Sequence, residues 1–420
     1  MNSWRPTPAL LTATALAAGL LVVAVLSQNA GLVVLAAPLL IISIWSLLTR
    51  PEGRPRVTEA STVPRTHEEA SQTWSLRLTG LDGAEIVDAT TSSTVHVDTD
   101  PASGLLRAIP SGDTAELSMT WAARRWGPAE VGSGSCVAFS AWSGYRVGPL
   151  SFRPSRVQVT PGIPAFTATG GAPRPAGLVG QNRSLRRGDG SEFADIRIFQ
   201  NGDRLRRIHW PISARTGQLH VRTTYAELDS EILLVLDAED EYGDPATHAE
   251  TSLDIGVRSC AAMAAHLLQR GERVGLQVLS SVRPERVRSR GGSGQLRRIL
   301  HELSGVRAGA LGAGAGARNR IHASRGTLVV VVTPLVGTAA TTLAAEAAQR
   351  GLPTVLVDSL PTSGVTASGD AAQRLSMLQR QVRIHRLQAH GLAVVPWRGP
   401  GSLDPVLRRM GAAGVGSRAR

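Results

Sequence analysis

Cysteine is nearly absent from this chain: Cys136 and Cys260 are the two among 420 residues. Two thiols cannot build a disulfide framework or a thiolate zinc site, and a reducing compartment is their natural setting, although one pair could in principle bridge. Aromatic residues amount to 4%, too few for a platform on which single-stranded nucleic acid stacks. Acids are the minority charge, 33 against 45 basic residues, and the formal balance of +12 favours anionic surfaces without choosing between lipid and nucleic acid. The glycine-rich stretch Gly305–Gly316 lacks a following Gly-Lys-Ser or Gly-Lys-Thr. Gly312, Gly314 and Gly316 therefore read as loop rather than as a phosphate cradle.

What is present excludes wholesale disorder. Hydrophobic residues are 42% and charged residues 19% of a chain long enough for two or three folding units. The apolar excess is concentrated at the front, where Ala9–Leu26 and Gly31–Leu48 carry no charge. Each run would span about 27 Å as a helix, close to the roughly 30 Å of a bilayer's hydrocarbon layer. With only Ser27, Gln28 and Asn29 as a polar break, the pair reads as a transmembrane hairpin over residues 1–50. The alternative is a signal peptide cut near Ala30 that leaves the second run as an anchor. Arg5 precedes the first run, Arg50, Arg54 and Arg56 follow the second, and the turn is uncharged. The positive-inside rule then places both termini and the body in the cytoplasm, beneath the plasma membrane.

Residues 51–72, with Pro51, Pro55 and Pro64, read as a polar tether. Over 73–162 the period becomes two: Ser75–Leu78, Thr94–Val97, Ala115–Trp121 and Val157–Val159 alternate, separated by glycine, proline and aspartate. That pattern, without a convincing helix, predicts a small antiparallel β domain of immunoglobulin-like general shape. A linker and an arginine-rich segment occupy 163–229. From 230 to 412, apolar runs at Ile232–Leu236, Val274–Val278, Leu328–Val332, Thr354–Val357 and Leu392–Val395 alternate with helical patterns. These include Val257 to Leu268, Leu296 to Leu303, Thr342 to Gln349, a helix containing Leu375, Leu378 and Val382, and a short helix from Leu403 to Met410. An α/β domain with a mostly parallel sheet follows, and 413–420 reads as a flexible tail.

The densest chemistry lies between Arg183 and Arg222. Arginines alternate there with carboxylates and apolar groups: Glu192, Arg197, Phe199, Gly202, Asp203, Arg206, Arg207, Ile208, His209, Trp210, Ser213, Ala214 and Arg215. An arginine fork pairs with carboxylate or phosphate and stacks on Trp210 or Phe199. The reading favours an internal network, for instance through Arg206, Arg207 and Trp210, ahead of a protein-docking surface or a phosphate patch, and expects at least one of Arg197, Arg206, Arg207 and Arg215 to be structural. Asp203, His209 and Ser213 are the residue types of an acyl-transfer triad, but Ser213 lies in no Gly-x-Ser-x-Gly elbow. Asp237, Glu239, Asp240, Glu241 and Asp244 crowd one strand end, where open α/β sheets gather ligands. The strand end at Thr333-Pro334 supplies no acid, and Asp358 is the distant candidate.

The stretch Phe199-x-x-Gly202-Asp203-x-x-Arg206-Arg207-Ile208-His209-Trp210-x-x-Ser213-Ala214-Arg215 resembles the signature of the DUF58 family of bacterial membrane-associated proteins. Glu192 and Arg197 stand where that family carries an acid and the arginine of a Leu-Arg-x-Tyr element, here Ile196-Arg197-Ile198-Phe199. The resemblance implies a C-terminal domain similar to von Willebrand factor type A domains. Asp237 would open its Asp-x-Ser-x-Ser metal motif, but Glu239 and Glu241 replace both serines. We expect no tight magnesium site at this degenerate position, and no cofactor. The resemblance further implies a non-enzymatic membrane scaffold or adaptor, working with a MoxR-type AAA+ ATPase in the assembly or maturation of envelope client proteins. The alternatives are a hydrolase centred on Asp203/His209 or Asp237, and an anionic-lipid or nucleic-acid binder, with nucleic acid disfavoured.

Overall fold

The computed structural model describes residues 3–163, 187–200, 203–225, 231–244, 249–280, 285–309, 320–324, 326–361 and 371–399. Gly202, the loop glycines Gly312, Gly314 and Gly316, residues 164–186 of the linker and arginine-rich stretch, the short helix expected at Leu403–Met410 and the 413–420 tail lie outside these residues. The chain divides into two compact units, Met1–Gly162 and Ile163–Arg420.

The first unit opens with β1 (Arg5–Pro6), then helices α1 (Pro8–Ser27) and α2 (Ala30–Leu48). Thr7 caps α1, its side chain accepting from Leu10 N, and Asn29 caps α2 by accepting from Gly31 N. Both helices are long and apolar enough to cross a membrane. Their packing is inside-out for water. The buried positions are Leu10, Ala17 and Ala24 on α1 and Ala36, Ser43 and Ser46 on α2, while Leu16, Val22, Val25, Val34, Leu35 and Ile41 face outward. Small residues seven apart, Ala17 and Ala24 on one helix and Ala36 and Ser43 on the other, let two backbones approach, as helices do in lipid.

The β domain follows with β2 (Arg56–Ser61), β3 (Arg65–His67), β4 (Gln72–Thr79), β5 (Ala84–Ser92), β6 (Val97–Asp100) and β7 (Leu105–Ala108). It continues with β8 (Thr114–Ala123), β9 (Gly127–Val131), β10 (Ser133–Ser140), β11 (Tyr145–Phe152) and β12 (Ser155–Thr160). Three sheets result, with orders β1-β11-β10-β5-β7, β2-β4-β8-β6 and β3-β12-β9. Pairing is antiparallel except between β3 and β12. On β8 the alternation is strict: Ala115, Leu117, Met119, Trp121 and Ala123 are buried, and the residues between them are not, apart from half-buried Ala122. One apolar core joins these side chains to Trp74, Leu76, Val87, Cys136, Val147 and Phe152. The stretch 51–72 is not the tether its prolines suggest. Arg56–Ser61 and Arg65–His67 are strands, because Ala60 and Thr66 find partners in β4 and β12.

In the second unit β13 (Arg187–Ile198) and β14 (His220–Tyr225) form an antiparallel ribbon enclosing helix α3 (Trp210–Thr216). The α/β part comprises β15 (Glu231–Asp237), α4 (Ser252–Gln269), β16 (Arg273–Leu279), β17 (Glu285–Arg290) and α5 (Ser293–Ser304). It closes with β18 (Leu328–Thr333), α6 (Ala339–Gln349), β19 (Thr354–Asp358), α7 (Ala371–Ala389) and β20 (Ala393–Pro396). The six-stranded order is β17-β16-β15-β18-β19-β20, parallel throughout except for the edge strand β17. Central strands β15 and β18 are buried almost end to end, as a sheet covered on both faces requires. Helix α7 departs from the sequence expectation. Leu375, Leu378 and Val382 are exposed, whereas among its described residues Leu387 is buried and Ile384 packs partly against the core. Polar contacts, described below, decide which way this helix turns.

Candidate functional site

The arginine-rich segment is built on the ribbon. Arg197, opposite Val221 on β14, sends its guanidinium to Asp203: Nη1 donates to Oδ2 at 2.8 Å and Nη2 to Oδ1 at 2.6 Å. Asp203 also accepts from Gln200 N at 2.8 Å, and its own amide donates to Gln200 O, which closes the turn. The Arg197 guanidinium first, then the Gln200 amide, hold the Asp203 carboxyl below the usual carboxylate range, with Arg207 adding to the same effect. Residues Leu205–Arg207 form a single 3₁₀ turn, after which Ile208 bridges to Val221 and is buried.

His209 and Ser213 then tie α3 to β14. His209 N donates to His220 O at 2.8 Å, and His209 Nδ1 accepts from Ile212 N as the helix cap. Ser213 Oγ donates to His209 O at 2.9 Å and accepts from His220 N at 2.8 Å. The three residue types of a triad are all present, and each is committed to something else. Asp203 holds Arg197, His209 caps a helix, and Ser213 bonds backbone atoms only. No hydrogen bond links these three side chains to one another.

The rest of the motif faces water. Trp210 is 65% and Leu205 69% exposed, and Arg206, Ala214 and Arg215 are exposed beside them. Phe199 is half-buried and Glu192 lies in β13. Of Arg197, Arg206, Arg207 and Arg215, it is Arg197 that makes the two-bond pair with Asp203 from its strand, while Arg206, Arg215 and Trp210 are exposed. Arg207 is half-buried and contributes through space.

A second cluster lies at the C-terminal edge of the six-stranded sheet. Asp237 is buried; its Oδ2 accepts from Thr333 Oγ1 at 2.7 Å and its Oδ1 from Glu239 N at 3.2 Å. Burial pushes its carboxyl above the ordinary range, against the Thr333 bond. Glu241 Oε1 accepts from Thr251 Oγ1 at 2.6 Å, in the capping box of α4, and so serves the helix. Glu239 Oε1 is buried without a hydrogen-bond partner, and burial, then Asp237 and Asp240, push this carboxyl up to about 7. Asp358 pairs with Arg380 of α7, whose Nε donates to Pro334 O at 2.9 Å. Arg383 Nη1 donates to Leu335 O and Val336 O. Thr333, Arg380 and Arg383 carry no signal in a strand-end search for acids; the spacing of two arginines three apart on one helix could have found the pair. Cys136 and Cys260 are buried, and desolvation pushes the Cys136 thiol up to about 11 and Cys260 higher still. Both thiols are thereby held in the protonated form, the less reactive one.

Glu239 makes the α/β unit pH-sensitive. Its folded value of about 7 exceeds the ordinary 4.5, so the folded protein holds a proton that the unfolded chain releases. Its contribution is intact below pH 4.5 and is lost as pH rises through 7. Solvent access tempers the effect to about 1–2 kcal/mol between pH 5 and 8. The Glu239→Gln chain should keep that stability in urea unfolding followed by circular dichroism. Equal losses in both chains would refute the assignment.

Residues 195–386 match the family model described as "Protein of unknown function DUF58". The match begins at Asp195 on β13 and ends within α7, so it takes in the Arg197–Asp203 turn, α3, the Asp237–Thr333 pair and Arg380. The DUF58 region therefore coincides with the chemistry of the second unit and excludes the hairpin and β domain. The uncharacterized protein Rv1480 of Mycobacterium tuberculosis and the uncharacterized protein Mb1516 of Mycobacterium bovis are each 30% identical over 161 residues, 37% of this chain. The aligned part spans about half the length of these curated relatives.

Proposed function

We propose that this chain is a membrane-anchored, non-enzymatic docking protein. Its hairpin crosses the plasma membrane with both termini and the body cytoplasmic, which the outward-facing leucines and valines and the flanking arginines support. Its DUF58 region presents Leu205, Arg206, Trp210, Ala214 and Arg215 to a protein partner. The observation that carries this reading is the division of labour within the motif. Arg197, Asp203, His209 and Ser213 spend their hydrogen bonds fixing the turn and helix, which leaves a rigid apolar-and-basic surface of the composition that dominates protein interfaces. The partner we favour is an AAA+ ATPase of the MoxR type, acting with this chain on envelope client proteins. The ATPase would supply nucleotide hydrolysis and this chain the anchor. We read the α/β part as von Willebrand A-like, supported by its sheet order and by Asp237 at a central strand end facing Thr333.

Capture of that ATPase by the detergent-solubilised full chain tests the proposal. Trp210→Ala should weaken capture by about tenfold or more, as loss of an interface tryptophan does, with an unchanged unfolding midpoint. Arg197→Ala should lower the midpoint, because it removes both guanidinium bonds to Asp203. Capture equal to wild type in Trp210→Ala and in a Leu205→Ala, Trp210→Ala double variant would sink the docking role. A change in midpoint for Trp210→Ala would return the tryptophan to structural duty.

A further inference from the structure

Where the hairpin meets the β domain, the first unit carries exposed aromatics and arginines. Thr7, the cap of α1, donates from N to Gly144 O at 2.9 Å and from Oγ1 to Ser143 O at 2.8 Å. Ser46, in the last turn of α2, packs on the same Gly144, where a Cβ would come within 2.6 Å of its Oγ. The β10–β11 turn is therefore pinned at the level where both helices begin and end. At its tip Trp142 is 69% exposed and holds a left-handed backbone with φ of 57°. Trp45 on α2, one residue before Ser46, is also largely exposed. Beside them β1 pairs with β11 so that Arg5 stands directly opposite Arg146, both exposed. Arg50 lies over the Tyr145 ring at 5.8 Å.

Two like charges directly opposite on one sheet face repel each other. A displayed indole leaves apolar area in water. One environment relieves both. The headgroup layer of a bilayer accepts tryptophan at its apolar boundary and supplies phosphates to guanidinium forks. All cations of this sequence are arginine, since it contains no lysine. We propose that the β10–β11 turn is a second membrane contact: Trp142 and Trp45 enter the interface, and Arg5, Arg146 and Arg50 bind anionic phospholipid headgroups. This rests on the membrane-spanning reading of the hairpin. The β domain is thereby held against the bilayer rather than suspended below it, and its orientation depends on anionic lipid.

The test uses the full chain in vesicles of phosphatidylcholine with or without phosphatidylglycerol. Single reporter cysteines at Trp142→Cys, Leu16→Cys and Ile109→Cys carry an environment-sensitive fluorophore, quenched by lipids brominated near the headgroup or deep in the chain. Native Cys136 and Cys260 are buried and stay unlabelled. Leu16, midway along α1, should be quenched by deep bromines. Position 142 should be quenched by shallow ones, and Ile109, beyond the opposite edge strand β7, by neither. Association of spin-labelled phosphatidylglycerol should exceed that of phosphatidylcholine by about fivefold, and the Arg5→Ser, Arg146→Ser double variant should lose most of that preference. Quenching at position 16 but not at 142 would overturn the contact while leaving the hairpin intact. No quenching at 16 would overturn the spanning reading and this one with it. An unchanged lipid preference in the double variant would overturn the headgroup site. If the cysteine at 142 disturbs folding, the loss of shallow quenching of intrinsic fluorescence in Trp142→Phe gives the same decision.

Discussion

Replacing Arg380 by alanine should destabilise the α/β unit by about 2–4 kcal/mol, the cost of breaking a largely buried ion pair from one side. Arg380 and Asp358 side chains are 13% and 16% exposed. Without the guanidinium, the Asp358 carboxylate keeps, among the described residues, only Leu360 N, at 3.1 Å. The same change removes the bond from Arg380 Nε to Pro334 O, so the β18–α6 connection is held to α7 by Arg383 alone of the two arginines. Helix α7 depends on these bonds more than most helices would, since its apolar residues Leu375, Leu378 and Val382 face outward. A variant that removes both charges, Arg380→Met with Asp358→Leu, should recover most of the loss, because no orphaned charge remains. Urea unfolding of the full chain in detergent, read by circular dichroism, measures both. A loss within about 0.5 kcal/mol for Arg380→Ala, the range of an ordinary surface change, would show that the pair is solvated and that something else orients α7.

In the first unit the largest effect should come from Trp74→Ala, about 3–5 kcal/mol for emptying a tryptophan-sized core site. Trp74 is fully buried on β4, its ring lies 5.8 Å from that of Phe152, and a Cβ at Gly132 would fall on the indole. Gly132 also holds a left-handed backbone, with φ of 71°. Backbone and ring are thus fitted to each other with no room for relaxation. Trp74→Phe should cost much less, about 1–2 kcal/mol, because the indole Nε1 has no hydrogen-bond partner to lose. Thermal unfolding of the β domain followed by near-ultraviolet circular dichroism distinguishes the two. Equal costs for Ala and Phe would mean that the indole nitrogen is bonded after all, through water.

Much of the fold was legible because it is written in local period. The alternation of Ala115 to Trp121 gave β8, the unbroken apolar runs gave β15 and β18, and the charge-free runs gave α1 and α2. What stayed hidden depended on partners distant in sequence. Arg56–Ser61 has no strand-like period and becomes β2 because β4 lies beside it. Glu285–Arg290, with five charged or polar residues of six, is the antiparallel edge strand β17, visible only in its pairing with β16. In the motif, residue types announced an arginine–carboxylate network but could not choose among four arginines.

By itself the sequence determined an apolar hairpin at the front, a period-two domain after it, an α/β domain at the end, and the location of the unusual arginine chemistry. Hydrophobic period and charge-free length suffice for these, since each follows from how one segment meets water or lipid. Only the tertiary structure decided that Arg197 rather than Arg207 holds Asp203, and that Trp210 is displayed rather than stacked. It alone decided that Glu241 bonds the cap residue of a helix while Glu239 Oε1 is left without a partner, that α7 turns Leu375 and Leu378 outward, and that Arg5 faces Arg146 near the Trp142 turn. Each of these is a meeting between groups brought together by sheet register or helix rotation. The energy that selects among them resides in the pair, and neither residue carries it alone.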